Sequence, residues 1–221
     1  MIESIDVIGS GRVGSAVAAR LRERGLALGD RGPDLVLLCV PDRSIGEAAA
    51  YVAPGPWVAH VSGATPLAAL APHAKRFSVH PLQTFTLLRG PEQLDGAWGA
   101  VTAETDEARE VATWLAETLG LRPFPLADEN RAAYHAGAAI ACNYLVTLRR
   151  AAGSLLEAAG APPEALDPLM RRTIENDFEL TGPIQRGDWE TVERHLEAIR
   201  ATRPELEAMY RVLGDATAAV A

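Results

Sequence analysis

The glycine spacing after the first apolar segment constrains the fold of this chain more than any other feature. Residues 5–14 read IDVIGSGRVG, an apolar run that opens directly into the pattern G-x-G-x-x-G. A helical pattern follows, with apolar residues at Val13, Val17 and Leu21, and it closes at Gly25. This order predicts a strand, a tight turn and a helix, which is the first half of a βαβ unit.

Each glycine of the pattern has its own predicted role. Gly9 allows the tight turn, Gly11 lets a phosphate group approach the backbone, and Gly14 lets the helix pack close to the strand. The helix N-terminus adds unpaired N–H groups and a partial positive charge, which together favour a pyrophosphate. The alternative is a glycine-rich turn that binds no ligand.

The segment after this helix is shorter than in a complete dinucleotide-binding unit. In such a unit a second strand carries the residue that contacts the adenosine ribose, about 20 residues after the loop. Here residues 25–33 lead almost at once into the buried apolar run 35–40, so the second strand spans at most residues 26–28 and the helix after it is missing. Asp30 could accept a hydrogen bond from a ribose 2′-hydroxyl, or Arg31 could pair with a 2′-phosphate, or both could be solvated loop charges.

Composition limits the partners of the protein. The 221 residues suffice for one large core or two modest domains, and the net charge of −8 argues against nucleic acid or an anionic membrane as partner. The two cysteines provide no disulfide framework. Because Met1 leads directly into the first strand and no apolar run reaches the ~18 residues of a membrane span, we expect a soluble, cytoplasmic protein.

The pattern of elements changes near residue 126. Up to that point strand and helix signals alternate, which predicts an α/β Rossmann-like parallel sheet with a truncated second strand and helix. A short helix is predicted at Pro66, capped by Thr65. From 127 to 221 the pattern is helical, with one long helix over 128–160, another from 167 to about 180, a third capped by Asp188 and a last one from Pro204. We therefore predict a dinucleotide-binding domain at 1–126 and a helical substrate or dimerisation domain at 127–221.

Polar residues follow several of the predicted strands. In open α/β sheets, ligands bind beyond the carboxyl ends of the strands, where Pro41, Ser62 and His80 are predicted to lie. Ser62 and the neighbouring N–H groups could hold a carboxylate or a carbonyl oxygen. His80 could donate to a substrate oxygen, or exchange a proton with it near neutral pH. His60 precedes the end of its strand and is predicted to pack in the core.

The helical half contains three further candidates. His135 and Asn143 lie on the alanine-rich long helix, where polar groups need partners, so they form either part of a ligand site or a buried hydrogen-bonded pair. Arg186, in a loop rich in donors, could bind a carboxylate or be solvated. No metal site is predicted, because the histidines and cysteines lack the short spacings of zinc sites.

Four strings together suggest a family, and the last two of them are the specific ones. They are GSGRVG at 9–14, VSG at 61–63, HPLQTF at 80–85 and TGPIQRGD at 181–188. Together they resemble the Rossmann-like proteins that carry a C-terminal domain of unknown function 2520, within the 6-phosphogluconate dehydrogenase-like superfamily. Some members look like ketopantoate reductases. The resemblance implies NAD(P)H-dependent reduction of a small 2-oxo acid by a homodimer, with NADP favoured over NAD.

Three groups of residues have candidate roles in the predicted site. The catalytic candidates are His80, His135 and Asn143, one histidine acting as general acid and Asn143 orienting it. The cofactor-binding candidates are Gly9, Ser10, Gly11, Arg12, Val13, Gly14, Val40, Pro41 and Ser62. The substrate-binding candidates are Ser62, Gly63, Gln83, Thr84 and Arg186.

Two departures from related dehydrogenases keep other functions open. Those enzymes have a lysine four residues before the asparagine of the long helix, and here Ala139 stands at that position, which leaves His80 or His135 as proton donor. With the truncated second strand, this favours a nucleotide- or small-acid-binding sensor that has lost dehydrogenase activity. His80-Pro81 also resembles the His-Pro of prephenate-type dehydrogenases, where the histidine contacts the substrate hydroxyl. A dimerisation scaffold with an empty glycine loop is a further alternative.

Overall fold

A computed structural model describes residues 2–29 and 32–221. Asp30 and Arg31, the alternative ribose and phosphate ligands, lie outside the described residues. Contacts divide the chain into two units, residues 1–140 and 141–221. The division falls after Ile140 and not at residue 126, because the helix that starts at Arg131 is anchored in the first unit by the buried Arg131 side chain. The roles predicted for the two domains stay predictions.

A single mixed sheet organises the first unit. Its strands, within the described residues, are β1 (Ser4–Ile8), β2 (Ala27–Leu28), β3 (Leu35–Leu38), β4 (Trp57–His60), β5 (Arg76–Leu82), β6 (Trp98–Ala103) and β7 (Arg122–Pro125). The order is β2-β1-β3-β4-β5-β6-β7, and every neighbouring pair is parallel except β5 and β6. The predicted Rossmann-like, mostly parallel sheet is confirmed.

The truncation of the second strand is confirmed as well. Strand β2 has two residues and pairs with the start of β1 at the edge of the sheet. The short connection to β3 is held at its end by Asp34, whose Oδ2 accepts from the backbone N–H groups of Glu3 and Ser4 at 2.9 and 3.0 Å. These bonds also lower the pKa of Asp34. Among the described residues no helix lies between β2 and β3, and Asp34 holds the start of β3 beside the beginning of β1.

Helices cover both faces of this sheet. They are α1 (Arg12–Glu23), α2 (Ile45–Ala50), α3 (Asp106–Thr118) and α4 (Arg131–Ala139). Because successive strand residues point to opposite faces, Leu35 and Leu37 join a core with α1 and α3, while Val36 and Leu38 join a smaller core with α2. His60 faces the side of the smaller core and is fully buried, as predicted.

One predicted helix cap is wrong. The short helix is a 3₁₀ turn over Leu67–Leu70, and the Thr65 side chain does not cap it. The N–H of Leu67 donates instead to both carboxylate oxygens of Asp128, at 3.2 Å each. The Thr65 hydroxyl is used elsewhere, as the acceptor of the Ser62 hydroxyl at 2.9 Å. A distant carboxylate thus performs the role that sequence proximity assigned to Thr65.

The regular elements described in the second unit are all helical. They are α5 (Leu145–Ala158), α6 (Leu166–Glu175), α7 (Trp189–Thr202) and α8 (Glu207–Ala218). Asp188 caps α7 as predicted, accepting from the N–H of Thr191 at 3.1 Å. In the described part of the chain, no helix combines the length and apolar character needed to cross a membrane.

Two predicted helices differ in detail. The long helix over 128–160 is not continuous, because the π-helical turn Ile140–Tyr144 separates α4 from α5. Such a turn widens the helix, so the 100° per residue that relates His135 to Asn143 in a regular helix does not apply. The helix predicted to reach residue 180 ends at Glu175, since Asp177 and Phe178 adopt left-handed conformations with φ of 55° and 59°.

Candidate functional site

The glycine loop between β1 and α1 is tightly packed at two of its three glycines. Gly9 has a φ of +117°, and a Cβ atom built on it would collide with the carbonyl of Cys39. A Cβ atom on Gly14 would collide with the carbonyl oxygen of Gly9. The first and last glycines are therefore required by the protein itself, for the turn and for the close packing of α1.

The middle glycine has a different environment. Gly11 is the N-cap residue of α1, and a Cβ atom built on it would have nothing within 4 Å. Ser10, Gly11 and Arg12 are exposed, Val13 is half-buried, and no side chain caps the helix. The open face at Gly11 and the uncapped N–H groups leave room for a pyrophosphate against the backbone, and the predicted cofactor contacts of this loop stay predictions.

The glycine loop follows the carboxyl end of β1 and lies beside the carboxyl ends of β3 and β4. The N–H of Cys39 donates to the carbonyl of Ile8, and the N–H of Val61 donates to the carbonyl of Leu38. A Cβ atom on Gly9 would also come within 3.2 Å of the backbone nitrogen of Val40. Val40 and Pro41 thus follow the end of β3, and Ser62 follows the end of β4. These two strands come next in the sheet after β1, which leads into the glycine loop.

A group of four residues lies at the carboxyl end of β4, along β5 and on α4. We call Gly63, His80, Tyr134 and His135 the histidine cluster. The ring centroids of His80 and His135 are 6.3 Å apart, with the planes inclined by 69°. The Nδ1 atom of His80 lies 2.7 Å from the hydroxyl oxygen of Tyr134. Strand β5 and helix α4 therefore bring two imidazoles and a phenol together.

The backbone of Gly63 lies against both imidazoles of the cluster. A Cβ atom built on Gly63 would lie 2.8 Å from Cε1 and 2.9 Å from Nε2 of His80, and 3.0 Å from Cδ2 of His135. All three distances are shorter than ordinary van der Waals contact. Only the absence of a side chain at Gly63 allows both imidazoles to approach the backbone here.

Burial determines the charge state of the His80 side chain. Burial, together with the neighbouring His135 and Arg131, lowers the pKa of His80 to about 4, while Asp42 opposes them. His80 is consequently a neutral imidazole at neutral pH. The expectation that His80 exchanges a proton near neutral pH is therefore not supported, whereas a neutral ring can still donate or accept a hydrogen bond.

A fully buried arginine anchors the segments that carry the histidine cluster. The Nε of Arg131 donates to Oδ1 of Asp128 at 2.7 Å, and its Nη1 donates to the Ser62 carbonyl at 3.0 Å. Its Nη2 donates to the hydroxyl of Ser78 on β5. Arg131 thus ties the start of α4 to the end of β4 and to β5, the three segments that carry the histidine cluster.

Sequence reasoning missed both Arg131 and the contact of Tyr134 with His80. Asp128 and Arg131 have the i, i+3 spacing of a helical ion pair, which is a visible signal. The same spacing occurs in the exposed pair of Asp106 and Arg109, so the spacing alone does not identify a buried anchor. Tyr134 gave no local signal, because its partner is 54 residues away in the sequence.

The Ser62 side chain stabilises a turn in the first unit. Its hydroxyl accepts from the N–H groups of Ala64 and Thr65 at 3.2 and 3.0 Å and donates to the Thr65 hydroxyl. The Nδ1 of His60 accepts from the N–H of Ser62 at 3.2 Å. These bonds shape the turn that presents Gly63, and the predicted contacts of Ser62 with cofactor and substrate stay predictions.

The remaining candidates do not join the histidine cluster in the described contacts. Gln83 and Thr84 are exposed just beyond β5, where the Gln83 Oε1 accepts from the N–H of Thr84 at 2.8 Å. Asn143 and Arg186 belong to the second unit and are exposed. Their roles, too, stay predictions.

Solved structures of three oxidoreductases illustrate how widely this fold is shared. A candidate NADP oxidoreductase from Bacteroides fragilis matches with a TM-score of 0.82 and 21% identity over 98% of each chain. A reductive aminase from Aspergillus terreus, in complex with NADPH and ethyl levulinate, matches with a TM-score of 0.67 and 16% identity, over 98% of this chain and 93% of that one. A 1-pyrroline-5-carboxylate reductase from Streptococcus pyogenes matches with a TM-score of 0.62 and 14% identity over 98% of each chain. At these identities the likeness establishes the fold.

The family is established by the C-terminal part of the sequence. No curated protein matches the chain significantly. The family model described as a domain of unknown function (DUF2520) matches residues 97–217, which is more than half of the 221 residues. This match includes α4 with Tyr134 and His135, and the loop with Arg186. The family suggested by the sequence strings is confirmed, and the chain belongs to the DUF2520 family.

Proposed function

We propose that this protein is an NAD(P)H-dependent oxidoreductase that reduces a small 2-oxo acid. One observation carries the proposal: a glycine loop with an open middle glycine and a pair of imidazoles around Gly63 lie at the same edge of one sheet. Such an edge is where open α/β sheets bind their ligands. A dinucleotide site and hydrogen-bonding groups for a substrate oxygen would therefore be neighbours.

The cofactor would be held by residues of the first unit. Its pyrophosphate would contact the loop from Gly9 to Gly14, with Ser10, Arg12 and Val13 beside it, and its nicotinamide would lie near Val40, Pro41 and Ser62. When bound, the reduced nicotinamide supplies a hydride to the substrate carbon. NADP is favoured because two structures that share the fold are described with NADP or NADPH.

The two histidines would serve the substrate oxygen in different ways. His80 is neutral, since its pKa lies near 4, so it suits a hydrogen bond to a carbonyl oxygen. His135 is exposed and lies against the same glycine, where it can act as the general acid. Gly63, Ser62, Gln83 and Thr84 would line the substrate. For Asn143 and Arg186, of the second unit, the proposed roles remain those suggested by the sequence, an orienting residue and a carboxylate-binding residue.

A homodimer is proposed as the working form. Large apolar side chains are exposed along α5, at Leu145, Val146 and Leu148. Large apolar side chains exposed so near one another on one helix favour association with another protein surface. Light scattering during gel filtration tests this proposal, and a mass of one chain at micromolar concentration would contradict it.

A second function is favoured by a different observation. Strand β2 has only two residues, so the segment that usually contacts the adenosine ribose is reduced. A protein that binds a nucleotide or small acid without turnover would tolerate this reduction and the alanine at position 139. A prephenate-type dehydrogenase, suggested by His80-Pro81, would instead oxidise its substrate, and assays with oxidised cofactor address it.

Titration with reduced cofactor tests the proposal. The purified protein is titrated with NADPH and separately with NADH, following nicotinamide fluorescence and calorimetric heat. Micromolar binding of either would support the reductase, and a screen of 2-oxo acids beginning with ketopantoate would follow. Absence of binding at millimolar cofactor would reject the reductase in favour of the ligand-binding protein.

A further inference from the structure

The imidazole of His80 has its two ring nitrogens in different surroundings. Nδ1 lies 2.7 Å from the Tyr134 hydroxyl, whereas Nε2 faces Gly63, where a Cβ atom in place of the glycine hydrogen would come within 2.9 Å. A neutral imidazole carries one proton, so one nitrogen donates and the other accepts. The direction of the bond to Tyr134 therefore decides what His80 presents beside Gly63.

The surroundings of Tyr134 determine that direction. Burial raises the pKa of Tyr134 to about 12, so its oxygen keeps its proton at neutral pH. The nearby Arg131 donates to Asp128, Ser62 and Ser78, and none of its described bonds reaches the phenol. If Nδ1 donated to Tyr134, the phenol proton would have no acceptor among the described contacts, whereas donation to Nδ1 uses it.

We infer that Tyr134 is a positioning residue that fixes the tautomer of His80: its O–H donates to Nδ1, so His80 presents an N–H at Nε2 beside Gly63. The inference that this N–H meets a substrate oxygen rests on the proposed function. The bond between Tyr134 and His80 does not.

The phenol is held in place by aromatic packing behind it. The ring of Tyr134 packs against Phe124 at a centroid distance of 6.0 Å, and Phe124 packs edge-on against Trp98 at 6.1 Å. Tyr134 also meets the His80 ring edge-on at 5.5 Å. Because α4 carries Tyr134 directly before His135, one helix turn sets both the tautomer of one histidine and the position of the other.

This tautomer divides the chemistry between the two histidines. When hydride reaches a carbonyl carbon, negative charge develops on the oxygen, and the Nε2–H of His80 stabilises that charge by a hydrogen bond. His80 keeps its proton, because losing it would leave an imidazolate anion in a largely buried position. The proton that completes the alcohol then comes from His135, the exposed imidazole of the cluster.

The tautomer is measured by long-range ¹H–¹⁵N NMR of the full chain labelled with ¹⁵N-histidine, at pH 7 and without cofactor or substrate. His80 is assigned with the variant His80→Gln. The expected result is the Nε2–H form for His80 in the natural protein and a mixture of tautomers in Tyr134→Phe. An Nδ1–H form in the natural protein would overturn the inference without the need for any variant.

The chain contains a matched control for this experiment. In the second unit, the Tyr210 hydroxyl lies 2.8 Å from Nδ1 of His195 in an exposed pair of the same geometry. Tyr210→Phe is expected to change only the His195 signals and to leave those of His80 untouched. Unchanged His80 signals in a folded Tyr134→Phe would contradict the inference.

If the protein turns over a substrate, steady-state kinetics give a second readout. Tyr134→Phe should lower kcat about tenfold, the equivalent of one neutral hydrogen bond, with the affinity for NADPH unchanged. If NADPH does not bind while the NMR result is as expected, the proposed function fails and the role of Tyr134 toward His80 stands. If NADPH binds and turnover occurs but the tautomer is wrong, only this inference fails.

Discussion

The backbone of Gly63 lies against the imidazole of His80, and this contact fixes the geometry of the candidate site. A Cβ atom on Gly63 would come within 2.9 Å of the Nε2 of His80 and 3.0 Å of Cδ2 of His135. The turn that carries Gly63 is held by the Ser62 hydroxyl, and the Ser62 carbonyl is held by Arg131. The position of Gly63 is therefore coupled to the anchor of α4.

Gly63→Ala is expected to displace both imidazoles. The added methyl group overpacks the cluster, which costs about 1–3 kcal/mol of the free energy of unfolding. The displacement should lower turnover at least about tenfold and shift the His80 and His135 signals in NMR spectra. Urea unfolding and steady-state kinetics measure the two effects.

Gly137→Ala is the control for this substitution. Gly137 lies on the same helix as His135, and a Cβ atom built on it would have nothing within 4 Å. Alanine in a helix interior should raise the free energy of unfolding by about 0.5–1 kcal/mol and leave the cluster unchanged. Equal effects of the two substitutions would mean that the contact at Gly63 is not what positions the histidines.

Two glycines of the loop should respond differently to alanine. Gly14→Ala collides with the carbonyl oxygen of Gly9, so it should destabilise the fold as well as abolish NADPH binding. The methyl group of Gly11→Ala meets no atom within 4 Å apart from its own chain neighbours, so it should leave the unfolding midpoint nearly unchanged. If a pyrophosphate binds against the open face of Gly11, this stable variant should nevertheless bind NADPH at least about tenfold more weakly than the natural protein does, as measured by calorimetry. Unimpaired binding in Gly11→Ala would place the phosphates elsewhere.

Removal of the Arg131 side chain should destabilise the first unit strongly. In Arg131→Met, the Ser62 carbonyl and the Ser78 hydroxyl lose their buried donor, and Asp128 loses its ion pair. Each buried group left without its donor costs about 1–3 kcal/mol of the free energy of unfolding, and Asp128, whose side chain is 34% exposed, adds less. Since the positive charge of Arg131 lowers the pKa of His80, that pKa should also rise in the variant. Urea unfolding and NMR titration of His80 check these results.

Arg109→Met is the matched control for Arg131→Met. Arg109 and Asp106 have the same i, i+3 spacing, with the side chains 54% and 91% exposed. An exposed pair of this kind contributes about 0.5 kcal/mol or less. Similar losses for the two variants would show that burial of Arg131 has no energetic consequence.

The contrast between these two arginines also shows what the sequence can predict. The glycine pattern, the alternation of elements and the short segment before β3 are local or periodic signals, and they predicted the sheet and its truncated second strand correctly. The cap of α7 by Asp188 is local as well, and it was predicted. Arg131 is buried because β4, β5 and the Leu67–Leu70 turn pack against the start of α4. No local sequence pattern predicts that packing.

The candidate site shows the same division. His80 and His135 were chosen from the sequence for their chemistry and their places on a strand end and a helix, and they do lie together. The sequence could not provide the charge of His80, because burial and the neighbouring Arg131 lower its pKa. Tyr134 and the π-helical turn at Ile140–Tyr144 were missed, because each depends on packing between residues distant in sequence or on a local departure from the helix period.

One fully buried and one half-buried histidine should make the stability of the protein depend on pH below 6.5. Burial lowers the pKa of His60 to about 3 and that of His80 to about 4, from an ordinary value of 6.5. Between pH 6.5 and 4 the unfolded chain binds protons that the folded chain does not, so the free energy of unfolding rises with pH in this window. The stabilisation is present above pH 6.5 and is lost as the pH falls, toward 4 for His80 and toward 3 for His60.

The size of this effect can be isolated with one variant. His60→Asn keeps an acceptor for the N–H of Ser62 and removes the titrating ring. Between pH 6 and 5 the natural protein should lose about 1 kcal/mol more of its free energy of unfolding than His60→Asn does, in urea titrations at each pH. The carboxylates titrate alike in both proteins, so their contributions cancel. A slope in His60→Asn equal to that of the natural protein would mean that His60 is not buried as a neutral ring.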